Sequence, residues 1–182
     1  MKKRNRFLSL RCGLAAVWGL AVFQMAISTD TMTASPVTAT GSSEDREINK
    51  KILVEVFLAS ERKNDAAAIQ KEFETYSVTR IRFQFFKLGN PPENIAIGSN
   101  VTADVARLAI RLAVTYNRGI KYLLPQFRFF PHYIAIGTSA FDESFQIPIR
   151  LEDLKQLSDP ALTTPQFHEL YRRLTGEDKR PF

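Results

Sequence analysis

The chain has 182 residues, with 25 Lys and Arg against 19 Asp and Glu, one Cys and two His, a size that suits one ordinary domain beside a leader. Five of the basic residues (Lys2, Lys3, Arg4, Arg6 and Arg11) and the only cysteine, Cys12, lie in the first 28 residues, which hold no acidic residue. Without that stretch 20 basic residues face 19 acidic ones, so the charge gives no ground for a nucleic-acid partner, and a cleaved product has no disulfide or thiolate nucleophile.

In chain order, the basic start is followed by an apolar run from Cys12 to Phe23 and by Ala26-Ile27-Ser28, the pattern of a secretory signal peptide over residues 1–28. The alternative is an uncleaved signal anchor, since the apolar stretch extended to Ile27 is at or below the roughly 17 to 25 residues of a spanning helix. The chain is thus expected to be exported, to the periplasm or beyond, and to touch a membrane only if the signal stays in place. Residues 29–47, rich in Ser, Thr and Ala, read as a disordered linker. A single α/β domain is expected over 48–176, with a frayed tail at 177–182.

Within the domain, Lys51 to Ser60 alternates as a strand with Ile52, Val54, Val56 and Leu58 on one face. Asn64 and Asp65 are expected to cap a helix reaching Tyr76. Arg80 to Lys87 and Asn94 to Gly98 read as strands. A helix from about Thr102 to Asn117 carries Val105, Leu108, Leu112 and Tyr116 at core spacing and stops at Gly119. Leu151 to Leu157 is a short helix, and a last one is capped by Thr164, opens on Pro165 and ends at Gly176.

Two blocks repeat 39 residues apart. Ile81-Arg82-Phe83 matches Ile120-Lys121-Tyr122, and Ile95-Ala96-Ile97-Gly98-Ser99 matches Ile134-Ala135-Ile136-Gly137-Thr138. The pattern predicts an α+β fold: a ferredoxin-like βαββαβ sandwich built on a repeated strand-loop-strand unit, with two C-terminal helices over one face or edge.

The stretch from Gly98 to Ala109 (Gly-Ser-Asn-Val-Thr-Ala-Asp-Val-Ala-Arg-Leu-Ala), directly after the Ile95-Ala96-Ile97 strand, resembles the strand-turn-helix opening of the C-terminal domain of LytR-type cell-wall proteins. The order of elements is also similar to the sporulation-related repeat, a peptidoglycan-binding module. The match covers about 15 residues and departs from the first pattern at Asn100 and Ala103, where glycine is common. The resemblance implies a non-catalytic envelope module.

Candidate chemistry is sparse. His132 and His168 have no metal-ligand spacing, no phosphate-binding glycine loop is present, and no metal or cofactor is expected. His168, beside Glu169 on the last helix, reads as solvent-facing. A hydrolase would have to use His132 with Ser139 or Asp142, but Gly137-Thr138-Ser139-Ala140-Phe141 lacks the second glycine of a nucleophile elbow, so an enzyme is the weaker reading. Asp142 and Glu143 do not make a glycosidase pair, because adjacent strand residues face opposite ways.

The stronger candidate is a contact surface. Phe127, Arg128, Phe129, Phe130, His132 and Tyr133 place four aromatic rings and a guanidinium in a short segment suited to sugar rings, peptide stems or a protein partner. The other reading of these rings is core filling beneath the C-terminal helices. Arg107, Arg111 and Arg118 fall on one helical stripe, either a second part of the surface or a plain solvated face. The expected partners are a cell-wall glycan or peptide, or an envelope protein; a structural subunit of an envelope complex is the remaining alternative.

Overall fold

A computed structural model describes residues 42–139 and 145–177, all within the compact unit Val37–Phe182. The export segment, most of the linker, Asp142 and Glu143 lie outside the described residues. Among those described, no helix is long and apolar enough to cross a membrane.

The first helix, α1 (Ser43–Asn49), takes in residues expected to be linker. Ser42 and Asp45 form a reciprocal capping box, the Ser42 Oγ accepting from the Asp45 amide at 3.1 Å and the Asp45 carboxylate from the Ser42 amide at 3.2 Å. Asn49 anchors its end: the buried side-chain amide donates to the Tyr76 carbonyl at 3.0 Å and accepts from the Thr102 hydroxyl at 2.8 Å. A local cap and one buried polar side chain outweigh the poor hydrophobicity that suggests disorder.

Strand β1 (Leu53–Ala59) leads through a 3-10 turn (Ser60–Asp65) into α2 (Ala66–Glu74) and back to β2 (Arg80–Phe86). Asp65 stands at the N-cap of α2 but makes no cap bond; its carboxylate takes the Arg62 guanidinium at 2.7 Å instead. Strand β3 (Asn94–Ile97), α3 (Ala103–Tyr116) and β4 (Tyr122–Leu124) make a second strand-helix-strand unit. Strands β5 (Tyr133–Ile136) and β6 (Ile147–Pro148) follow, then α4 (Leu151–Leu157) and α5 (Thr164–Thr175). The α5 cap is Thr163, one residue before the expected Thr164, and Gly176 closes the helix at φ 70°.

These strands form one mixed sheet of order β2-β1-β5-β3-β4-β6. In each strand-helix-strand unit the two strands are direct parallel neighbours, and β5 joins the units by pairing parallel with β1 and antiparallel with β3. This departs from the expected ferredoxin-like arrangement, whose split βαβ units interleave a strand between each parallel pair. The expectation fails because alternation reports which face a side chain takes and says nothing of which strand lies beside it.

The helices share one face of the sheet. Val54, Val56, Leu58, Ile95, Ile97, Leu123, Ile134 and Ile136 meet Ile69 and Phe73 of α2, the apolar stripe of α3, Leu157 of α4, and Phe167 and Tyr171 of α5 in a single core. Each such fully buried ring contributes about 1.5–3 kcal/mol. The opposite face carries a smaller cluster, Ala96, Leu124 and Ala135, with Phe129 and Tyr133 packed against it.

Candidate functional site

Strand register builds the site on the face without helices. Leu53 pairs with Arg80 on one side and with Tyr133 on the other, so these three side chains stand in one row at the N-terminal ends of three parallel strands. The next row holds Arg82, Glu55 and Ala135. There the Tyr133 hydroxyl donates to Glu55 at 2.6 Å, and Arg82 lies 3.5 Å from the same carboxylate. Burial, and then the bond to Glu55, push the Tyr133 phenol well above its ordinary pKa, so it is a fixed neutral donor.

The segment between β4 and β5 closes the end of this row. Its carbonyls are held in sequence by two other parts of the fold: Pro131 by the Asn100 amide at 2.9 Å, His132 by Leu53 at 3.0 Å, and Tyr133 by Gly98 at 2.8 Å. Gly98 is needed there because a Cβ would run into the carbonyls of Phe130 and Pro131. The ring of Phe129 stacks on Tyr133 with centroids 5.6 Å apart and planes at 13°. Arg128 is exposed, its guanidinium carbon 4.0 Å above the centre of the Phe145 ring. Phe130 is left 80% exposed. The side chain of Phe127 lies outside the described residues. Thus Phe129 and Tyr133 pack on the far side of the sheet from the C-terminal helices, and Phe130 packs in no core.

Together Lys51, Leu53, Arg80, Phe130, Pro131, His132 and Tyr133 line an open cleft of about 500 Å³. Lys51, Leu53 and Arg80 were missed in the sequence. Alternation puts Arg80 opposite the apolar face of its strand, but only the pairing of β1 with both β2 and β5 brings it near the aromatic segment.

The arginine stripe divides on inspection. Arg107 pairs with Asp104 at 2.6 Å and donates to the carbonyls of Asp159 and Leu162, fastening α3 to the α4–α5 connection. Arg111 pairs with Glu72 of α2 at 2.5 Å. Arg118 lies beyond the end of α3, exposed, at φ 62°. Two of the three therefore tie the helical layer together. Beside them a larger hollow of about 930 Å³ lies between α3 and α4, with Val114 and Leu151 exposed on it. It is mainly apolar, and its two arginines are already paired.

Of the hydrolase set, His132 precedes β5 and Ser139 follows it, so the two lie toward opposite ends of that strand. Asp142 lies outside the described residues. No group of three metal-ligating side chains occurs among the described residues.

His168 is buried, a correction to the expected solvent-facing position. Its Nε2 lies 2.7 Å from the Val101 carbonyl and its Nδ1 2.7 Å from the Gln126 side-chain amide. Glu177, expected to begin a frayed tail, is also buried and accepts from the Gln126 backbone amide and the Thr175 hydroxyl, both at 2.7 Å. Gln126 thus ties α5 to the start of the aromatic segment.

Compared with protein-family models, curated proteins and solved structures, the chain matches none.

Proposed function

We propose that the chain is an exported, non-catalytic module that binds a component of the cell envelope, a wall glycan or peptide or an envelope protein, through the segment from Phe127 to Tyr133. The observation that carries this reading is Phe130: a large ring left 80% exposed on a loop whose next three carbonyls are each hydrogen-bonded. Holding an apolar ring in water on a fixed backbone gains nothing for folding, whereas it lowers the ordering cost of meeting a partner.

The signal-like residues 1–28 and the resemblance around Gly98 to Ala109 supply the envelope setting. The duplicated strand unit belongs to the same reading. Ile95-Ala96-Ile97 pairs antiparallel with Ile134-Ala135-Ile136, Ala96 opposite Ala135, and the Gly98 amide bonds Tyr133 as the Gly137 amide bonds Asn94. These bonds are those of any antiparallel pair, and the two-fold between β3 and β5 sets β1, not β2, against β4, so the duplication rests on the sequence blocks alone. The second copy then carries the aromatic approach, where the first has Lys87 to Asn94 without a ring.

The test is co-sedimentation of the full-length protein with peptidoglycan sacculi. Wild type is expected in the pellet. Phe130→Ala should lower the apparent affinity by roughly tenfold or more while leaving the thermal midpoint unchanged, as for an interface anchor that packs in no core. Wild type remaining in the supernatant at low salt overturns the wall reading.

A further inference from the structure

The cleft beside Phe130 has a charge that its folding role does not use. Lys51 and Arg80 both line it, and neither makes an ion pair among the described residues. The one acid on the adjoining row, Glu55, is already occupied by the Tyr133 hydroxyl at 2.6 Å and by Arg82 at 3.5 Å. Glu47, near Lys51 in sequence, takes Lys50 at 2.5 Å. Among the described residues the one hydrogen bond of the Arg80 side chain runs from a terminal nitrogen to the Lys51 carbonyl at 3.2 Å, which leaves most guanidinium donors open. No carboxylate among the described residues lines the cleft.

We infer that this cleft binds a saccharide ring carrying a compact anion, a carboxylate or a phosphate, with the anion on Arg80 and Lys51 and the ring against Phe130. The inference rests on the envelope-binding reading above and adds to it the chemistry of the ligand. Arg80 supplies the planar fork that matches a carboxylate or phosphate in two parallel hydrogen bonds, and Lys51 adds a second charge from the adjacent turn. His132 and Tyr133 complete the wall. A flat anionic membrane would satisfy the two cations equally, but the charges here line a concave space of about 500 Å³ bounded by a loop and a row of strand residues, which suits a discrete ligand better than a surface.

The experiment titrates the full-length protein, purified as the cell leaves it, with three sugars: N-acetylglucosamine, N-acetylmuramic acid and phosphorylated N-acetylglucosamine. Binding is followed by calorimetry and by the NMR signals of His132 and Tyr133. The two charged sugars are expected to bind and to shift those signals, the neutral one to do neither, and their relative affinities identify the preferred anion. Binding should weaken as salt rises. Lys51→Gln with Arg80→Gln should cost at least about tenfold in affinity, while the far-ultraviolet spectrum stays unchanged and the thermal midpoint falls by no more than the loss of the one exposed Arg80–Lys51 hydrogen bond allows.

Equal binding of the neutral sugar, or wild-type affinity in the double variant, overturns the inference. So does sedimentation with phosphatidylglycerol vesicles in the absence of any sugar-induced shift, which would assign the cations to lipid headgroups. Pelleting with sacculi that depends on Phe130 but not on Lys51 and Arg80 overturns the anion assignment and leaves the envelope reading standing. Loss of all pelleting strikes that reading itself.

Discussion

Protonating His168 takes away the acceptor on one side of its ring. The Val101 carbonyl 2.7 Å from Nε2 can only accept, and the Gln126 amide nitrogen 2.7 Å from Nδ1 can only donate, so the ring is neutral with its proton on Nε2. Burial is the main cause holding its pKa below the ordinary value; the Val101 bond opposes this and the Arg172 charge adds to it. The unfolded chain therefore takes up a proton near pH 6.5 while the native state resists it. Stability is full above that pH and declines as pH falls below it, because the unfolded state binds more protons there. A urea midpoint series from about pH 7.5 down to about pH 5 should fall more steeply for wild type than for His168→Gln, whose side chain does not titrate in that range. Parallel curves would show that His168 is not the group involved. Periodicity along α5 could not reveal this, because Gln126 and Val101 reach the ring from 42 and 67 residues away in sequence.

The aromatic segment is positioned by main chain rather than by its own rings. Gly98 has an ordinary φ, so its requirement is steric: the carbonyls of Phe130 and Pro131 occupy the space a methyl group would need, and both are backbone atoms. Gly98→Ala is expected to displace the segment, break the Asn100–Pro131 and Gly98–Tyr133 hydrogen bonds, and destabilise the fold by about 1–3 kcal/mol, the range of an overpacked site. The measurement is a denaturation midpoint paired with sacculus binding; a variant as stable as wild type that binds as well would mean the loop does not need this close approach. At this scale the sequence was largely readable. The faces of β1, the α3 stripe and the short helix at Leu151–Leu157 follow from spacing alone. The aromatic composition of the segment was visible too. Its direction was not, since four clustered rings fit a core as well as a surface, and only Ala96 and Ala135 lying beneath Phe129 and Tyr133 separate the two.

The strand order decides which parts of the molecule open first. In the six-stranded sheet β1, β5 and β3 are each flanked on both sides, and Val54, Ile95, Ile97 and Ile134 on them are fully buried. The Tyr171 hydroxyl, also fully buried, donates to the carbonyls of Ile95 and Leu124 at 3.2 and 2.9 Å, so α5 cannot lift without stranding polar groups in β3 and β4. By contrast β6 is two residues long, includes Pro148, and among the described residues pairs with β4 alone; β2 is an edge with alternate residues exposed. Strand β5 lies late in the chain yet sits between β1 and β3, an insertion that no local pattern encodes and that makes the two strand-helix-strand units one cooperative body. Hydrogen exchange should therefore find the slowest amides at Val54, Val56, Ile95, Ile134 and Ile136, opening only with global unfolding. The β6 and α1 amides should exchange by local fraying. The decisive comparison is β5 against β2, because of the two β5 alone is paired on both sides. If β5 exchanged as fast as β2, the link between the two halves of the sheet would be a weak seam, and the site row of Arg80, Leu53 and Tyr133, which crosses it, would lose its fixed geometry.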